Sequence, residues 1–358
     1  MLVGKLVFFT ALGIPDNGFQ NLGIRDIIPR NFRGKQSLHA WSSCGSCHLD
    51  GLTDAVTWFF PSGPRQTKPL DGMFSKQNPD DQGLLNWSAV RGSDTDFNAV
   101  SRALEGGCGL ASDDFDPGQC FTKTATTLAN PAIYDHGITQ GGSDALDAQT
   151  LYIFAAVRPL HQPPPVDGAA ADRGRDVFGT PFFGKSCATC HGGVKWTKSE
   201  IFHRDNPAAV AQDGAPTDPG VSATANEFKS FTCVGTLKTV TFNILEKVGT
   251  FDPNDPIEIR DNATAEIALG ADGFNVPSLL SINYSAPYLH RGQAQTLEEV
   301  FPLHGLGPQG EVFPPEKTIA NTLTAKQQSD LLVFLKTIDG TTVPFRSEGD
   351  DFRDSLRG

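Results

Sequence analysis

Two short motifs constrain this chain more than anything else in it: Cys44-Gly45-Ser46-Cys47-His48 and Cys187-Ala188-Thr189-Cys190-His191. Cysteines at i and i+3 bring two sulfurs to one edge of a porphyrin for thioether bonds, and the adjacent histidine is then aimed at the iron. That chemistry needs all three residues. A structural zinc site would need a second ligand pair for each motif, and no further CxxC or HxxxH is present. The expected cofactors are two covalently bound haem c groups, held by Cys44 and Cys47 and by Cys187 and Cys190, with His48 and His191 as proximal iron ligands.

A chain of 358 residues with 39% hydrophobic content can bury two cores of ordinary size. Its sharpest composition break is Pro159-Leu160-His161-Gln162-Pro163-Pro164-Pro165, a stiff segment that neither a helix interior nor a central strand tolerates. The break predicts an N-terminal haem domain over 1–160, a C-terminal haem domain over 166–345 and a tail over 346–358. Apolar residues at helical spacing over 147–157 and 324–338 predict an amphipathic helix closing each domain. Gly4-Lys5-Leu6-Val7-Phe8 ahead of the first motif is echoed by Gly174-Arg175-Asp176-Val177-Phe178 ahead of the second. Helix, motif, irregular stretch and closing helix thus occur twice. The expected fold is mainly α: two cytochrome c-like haem domains from a duplication, loop-rich with 37 Gly and 25 Pro. Little β is expected beyond a short strand at 239–245, inside an insert that the second copy carries over 206–261.

A net charge of -12 argues against nucleic acid and anionic membrane surfaces, and favours a redox partner protein with a basic docking surface. No apolar run reaches the roughly 20 residues of a membrane span. Haem attachment at such motifs takes place outside the cytoplasm, which predicts a periplasmic or extracellular protein. The start lacks a basic region, an apolar core and a cleavage site, so a removed signal or upstream domain is expected and Met1 need not be native. Cys108 and Cys120 lie close together in a Gly/Asp-rich loop, where a disulfide would stabilise by about 3 kcal/mol. Spacing leaves the connectivity open, and Cys233 is then a buried thiol.

A sixth protein ligand on an iron favours electron transfer, whereas a vacant position allows oxygen or peroxide chemistry. Methionine is scarce: Met1 is terminal and Met73 sits in a Gly/Pro-flanked stretch, so a Met-ligated haem is not expected. The other histidines are His39, His136, His161, His203, His290 and His304. His39 is too near Cys44 to reach the opposite haem face, His161 lies in the Pro-rich segment, and His203 reads as a surface or propionate-contacting residue.

Val276-Pro277-Ser278-Leu279-Leu280, Ala286-Pro287-Tyr288-Leu289-His290-Arg291-Gly292 and Thr296-Leu297-Glu298-Glu299-Val300 carry a family likeness. With the doubled CxxCH, Gly63-Pro64-Arg65 and the terminal helix, the chain resembles the bacterial di-haem cytochrome c peroxidase and MauG-like superfamily over most of its length. The resemblance places His304 where the family has a Met ligand, which implies a bis-His second iron of lower potential than a His/Met one. His290 is then a neighbour of that haem rather than a ligand. Arg91-Gly92 followed by Val100 mirrors Arg291-Gly292 followed by Val300, pairing His304 with Leu104, which cannot ligate, and placing Glu105 beside it. The resemblance therefore implies an open first haem with Glu105 as the acid/base of peroxide cleavage. The bland reading of Glu105 is a solvated helix-end carboxylate.

The family's activation-linked distal His is replaced, approximately, by Trp58. His136-Gly137 precedes the first closing helix as His304-Gly305 precedes the second, so His136 competes as sixth ligand of the first iron. Trp87 falls where the family has a Trp between its haems, as electron relay or as packing, and Trp41 is expected to wall the first haem. The family's interdomain calcium positions are Gln66 and Asn275 here, which leaves calcium possible but unsupported. Three functions compete: peroxide reduction at the first haem with electrons delivered through the second, electron transfer within a larger respiratory or extracellular assembly, and di-haem oxygenation of an organic substrate.

Overall fold

The computed structural model describes residues 1–11, 36–60, 62–92, 94, 97, 105–107, 110, 144–201, 210–213, 230–234, 239–261, 266–307 and 313–356. Leu104, Cys108, Cys120, His136 and His203 lie outside the described residues, as does the Cys108–Cys120 pairing expected above.

In the first half, α1 (Leu2–Thr10) is followed by the one-turn helix α2 (Cys44–Cys47), the hairpin β1 (Thr57–Phe60) and β2 (Gly63–Gln66), and α3 (Asp144–Ala156). The apolar spacing of α1 buries Val7 and Phe8. Phe8 packs with Met73, Phe74, Ile153 and Val157, joining α1 and α3 to the loop between them. The helices cross so closely that a Cβ at Gly4 would collide with the Ala148 carbonyl. Only glycine permits that approach.

The second half opens with α4 (Gly168–Gly179), started by Asp167, whose carboxylate accepts the Ala170 N–H at 2.9 Å. After α5 (Cys187–His191) the chain forms an antiparallel sheet of β3 (Val210–Asp213), β4 (Ser230–Val234) and β5 (Thr239–Asn243). The short strand expected at 239–245 is therefore present, and it has partners. Two small pairs follow: β6 (Leu245–Glu246) with β9 (Phe274–Asn275), and β7 (Ile259–Asp261) with β8 (Glu266–Ile267). Helices α6 (Leu297–Val300), α7 (Ile319–Thr322), α8 (Ala325–Leu335) and α9 (Glu348–Leu356) complete the described chain. Thr324 starts α8 with a capping box closed by Gln327. Helix α8 crosses α4 as α3 crosses α1, because a Cβ at Gly174 would meet the Asp330 carbonyl. Phe178, Trp196, Leu331 and Phe334 fill the core beneath this crossing. The fold is mainly helical, with short strands.

The Pro-rich segment runs extended and is strapped to the second half. Leu160 N–H donates to Ser281 Oγ at 2.8 Å, and Asp339 takes both the Gln162 N–H at 2.9 Å and His161 Nδ1 at 2.8 Å. The segment from 346, set apart above as a tail, is ordered by burial of Phe352 against Phe242 at 5.4 Å and by Arg353, which pairs with Glu200 and Asp81. Among the described residues no helix is long and apolar enough to cross a membrane.

Candidate functional site

Each CxxCH motif is a single helical turn with the same cap. The Ser43 N–H donates to Ser46 Oγ at 3.0 Å, and the Ser186 N–H to Thr189 Oγ1 at 3.1 Å, so both turns start with a reciprocal hydroxyl box. The repeated Ser-Cys-x-Ser/Thr-Cys-His was readable in the sequence but not singled out there. The turn puts Cys44, Cys47 and His48 on the wall of one cavity, and Cys187, Cys190 and His191 on the wall of another.

A carbonyl oxygen can only accept. His48 Nδ1–H therefore donates to Leu52 O at 3.2 Å, and His191 Nδ1–H to Pro277 O at 3.1 Å. In both rings this leaves the Nε2 lone pair for a metal, oriented by its backbone bond. Burial lowers both imidazoles, His191 to about 3, and keeps them neutral as ligands must be.

The second cavity has a second imidazole facing the first. His191 and His304 have ring centroids 6.4 Å apart and planes tilted by 48°. An ion between two imidazole nitrogens at about 2 Å each sets the centroids roughly 6 Å apart, so the gap fits one metal. His304 follows α6 and is held there by its N–H to Val300 O at 2.9 Å. His290 also lines this cavity but is engaged elsewhere: its Nε2 lies 2.8 Å from Glu258 Oε1, and its ring stacks on Phe274 at 4.0 Å. Burial pushes Glu258 up to about 7 and His290 well below its ordinary value, with the Arg65 and Arg291 charges adding to the latter.

In the first cavity His48 is the one histidine among the described lining residues. Glu105 lines it, and burial pushes its carboxyl up to about 7, so it is not the solvated helix-end residue of the bland reading. A second carboxylate, Asp94, was missed by sequence reasoning, since nothing in its flanks distinguishes it. It lines the same cavity, is raised to about 6 by burial, and accepts from Gln149 Nε2 at 2.9 Å and Thr150 Oγ1 at 3.1 Å. Gln36 Nε2 connects Gln149 Oε1, at 2.6 Å, to Cys44 Sγ, at 3.3 Å. Met73 also lines this cavity, packed on Phe8 and Ile153.

One tryptophan departs from its expected place. Trp41 does not wall the cavity: it is 59% exposed, and its Nε1–H is bound to Glu105 O at 2.9 Å, clasping the loop that carries Glu105. Trp58 lies on β1 opposite Arg65 with its Nε1–H on Asp54 Oδ2 at 2.7 Å, outside the described lining. Trp87 does stand between the cavities. With Gln66, Thr67, Pro69, Val276 and Ser278 it borders both, its Nε1–H donates to Gln66 O at 2.9 Å, and its ring meets Phe274 edge-on at 6.3 Å.

Gln66 and Asn275 by themselves do not make up a calcium ligand set. Calcium is held by about 6–8 oxygens, usually with carboxylates among them. Asn275 instead turns its NH2 to Leu84 O at 2.8 Å and Asn86 O at 2.9 Å, which ties the halves directly with neutral hydrogen bonds. Gln66 Oε1 and Asn275 Oδ1, both amide oxygens, have no hydrogen-bond partner among the described residues.

No protein-family model matches the chain, and no curated protein matches it. Among solved structures it is similar to a MauG-like protein associated with microbial copper homeostasis, at 20% identity over 86% of this chain and 85% of that one, with a TM-score of 0.40. It is also similar to the hydrazine synthase of Kuenenia stuttgartiensis, at 20% identity over 85% of this chain and 83% of that one, with a TM-score of 0.39.

Proposed function

We propose that this chain is a di-haem c-type redox protein that reduces hydrogen peroxide at a haem held by His48, using electrons that arrive through a haem held by His191 and His304. The observation that carries the reading is a difference between the two cavities: one offers facing imidazoles, the other, among the described residues, one histidine with a half-buried carboxylate. Recurrence of the Gly4–Ala148 and Gly174–Asp330 helix crossings supports an origin by duplication.

Bound haem would supply the iron that cleaves the O–O bond and stores electrons. The chain supplies the rest. Cys44, Cys47, Cys187 and Cys190 hold the groups, and His304 closes the second site to exogenous ligands. Reduction of peroxide to two waters consumes two electrons and two protons, and one proton must also move between the oxygens. Glu105, raised to about 7, exchanges a proton near neutral pH and takes that role. Trp87, bordering both cavities, is the relay. The electron donor is a protein with a basic surface, matched to the net charge of -12, and the compartment is the periplasm or the extracellular space, where such haems are attached. Steady-state peroxide consumption by the holoprotein with a reduced donor tests the reading. Turnover above that of free haem is expected, and its absence in both the oxidised and half-reduced protein would leave electron transfer or oxygenation of an organic substrate.

A further inference from the structure

Lys68 is half-buried and differs from the two buried lysines near the wall between the cavities. Lys195 is matched by Asp81, and Lys198 by Glu246 and Glu348. Lys68 has no carboxylate and no hydrogen-bond acceptor for its ammonium among the described residues. Its Nζ lies 5.5 Å from the centre of the Trp87 ring, and its side chain lines the first cavity. Burial, with no compensating anion, pushes its ammonium down to about 7. An ammonium in a cavity wall with no acceptor among the described residues favours an anion beside it. The charged groups acting on the attachment cysteines are Asp94, Glu105 and Asp54, all acidic. The other described cations lining the cavity, Arg65 and Arg91, already donate to protein acceptors: Arg65 to Ser62 O, Ser88 Oγ and Leu269 O, and Arg91 to Val90 O. Haem c brings two propionates, on the edge away from its thioether bonds.

We propose that Lys68 is the counter-cation of a propionate of the first haem, placed where the same charge faces Trp87. This rests on the di-haem reading above. A cation there favours the reduced iron over the oxidised one, so Lys68 raises the potential of the first haem while leaving the second, beyond the wall, unaffected.

The test uses the holoprotein, whose two covalent haems are first verified by intact mass. Absence of covalent haem overturns the di-haem reading before any potential is measured. Spectroelectrochemistry of wild type, Lys68→Met, Lys68→Gln and Lys68→Arg then follows each haem separately. The first haem is expected to shift to lower potential in both neutral variants and to stay near wild type in Lys68→Arg, with the second haem unmoved in all. Lys68→Gln keeps a polar chain of similar reach, so it covers a Lys68→Met protein that fails to fold. An unshifted first haem in the neutral variants overturns the proposal, as does a shift shared by Lys68→Arg, which would mark a packing effect.

Discussion

The imidazoles of His191 and His304 face one another across 6.4 Å, a gap that takes one metal ion. His48 has no such counterpart among the described residues lining its cavity. Two motifs identical in kind thus sit, among the described residues, in cavities with different linings, and the difference lies in residues far from either motif.

His304→Ala removes one side of that gap. It is expected to convert the second haem alone from low-spin to high-spin in the ferric visible and EPR spectra. His304→Met is expected instead to keep it low-spin and raise its potential, because thioether ligation favours the reduced iron. A spectrum unchanged by His304→Ala would remove His304 from the ligand set.

Glu105 is raised to about 7 by burial, so its folded-state pKa lies above the ordinary carboxylate value. Below about 7 it is protonated and cannot accept a proton from peroxide. The rate of peroxide turnover is therefore expected to rise with pH through about 7 and level off above it. Glu105→Gln is expected to lose turnover by about 10²–10⁴-fold and to lose this rise. Because the folded state holds this proton more tightly than the unfolded one, stability contributed by the protonated carboxyl is present below the ordinary carboxylate range and is lost as pH rises towards 7. A Glu105→Gln protein with wild-type turnover would return Glu105 to a structural role.

Gly4 and Gly174 set the two helix crossings. Gly174→Ala forces a methyl against the Asp330 carbonyl, and Gly4→Ala does the same against Ala148. Each is expected to destabilise by about 1–3 kcal/mol, read as a lower denaturant midpoint of the holoprotein at an unchanged slope. No change in midpoint would mean that the helices are not in contact there.

Asn275 ties the halves through its amide NH2. Removing calcium with a chelator is expected to leave the spectra, potentials and turnover of both haems unchanged. Asn275→Leu is expected to lower the unfolding temperature, since it strands the Leu84 and Asn86 carbonyls. Loss of activity on chelation, restored by calcium, would contradict this reading of the wall.

Much of this was legible in the sequence because it is local. The i, i+3 cysteines with their histidine, the apolar spacing of α1, α3 and α8, and the proline break each depend on neighbours within a few turns. The character of the cavities is not local. Asp94 becomes a buried carboxylate only when α3 brings Gln149 and Thr150 to it, and Lys68 reads as an ordinary surface lysine until Trp87 closes over it. Trp41 was misplaced for the same reason: adjacency to Cys44 in the chain suggested the haem wall, whereas a long-range bond to Glu105 O turns its ring outwards. The ordering of 346–356 depends on Phe242, Glu200 and Asp81, which no spacing within that segment reveals.

The inequality of the two irons is tested most directly by EPR of the fully oxidised holoprotein titrated with cyanide. One low-spin ferric signal unaffected by cyanide, from the haem between His191 and His304, is expected beside a second ferric species that converts to a new low-spin signal as cyanide binds opposite His48. Two low-spin signals, neither responding to cyanide in the oxidised or the half-reduced protein, would contradict an open first haem and make the chain an electron carrier.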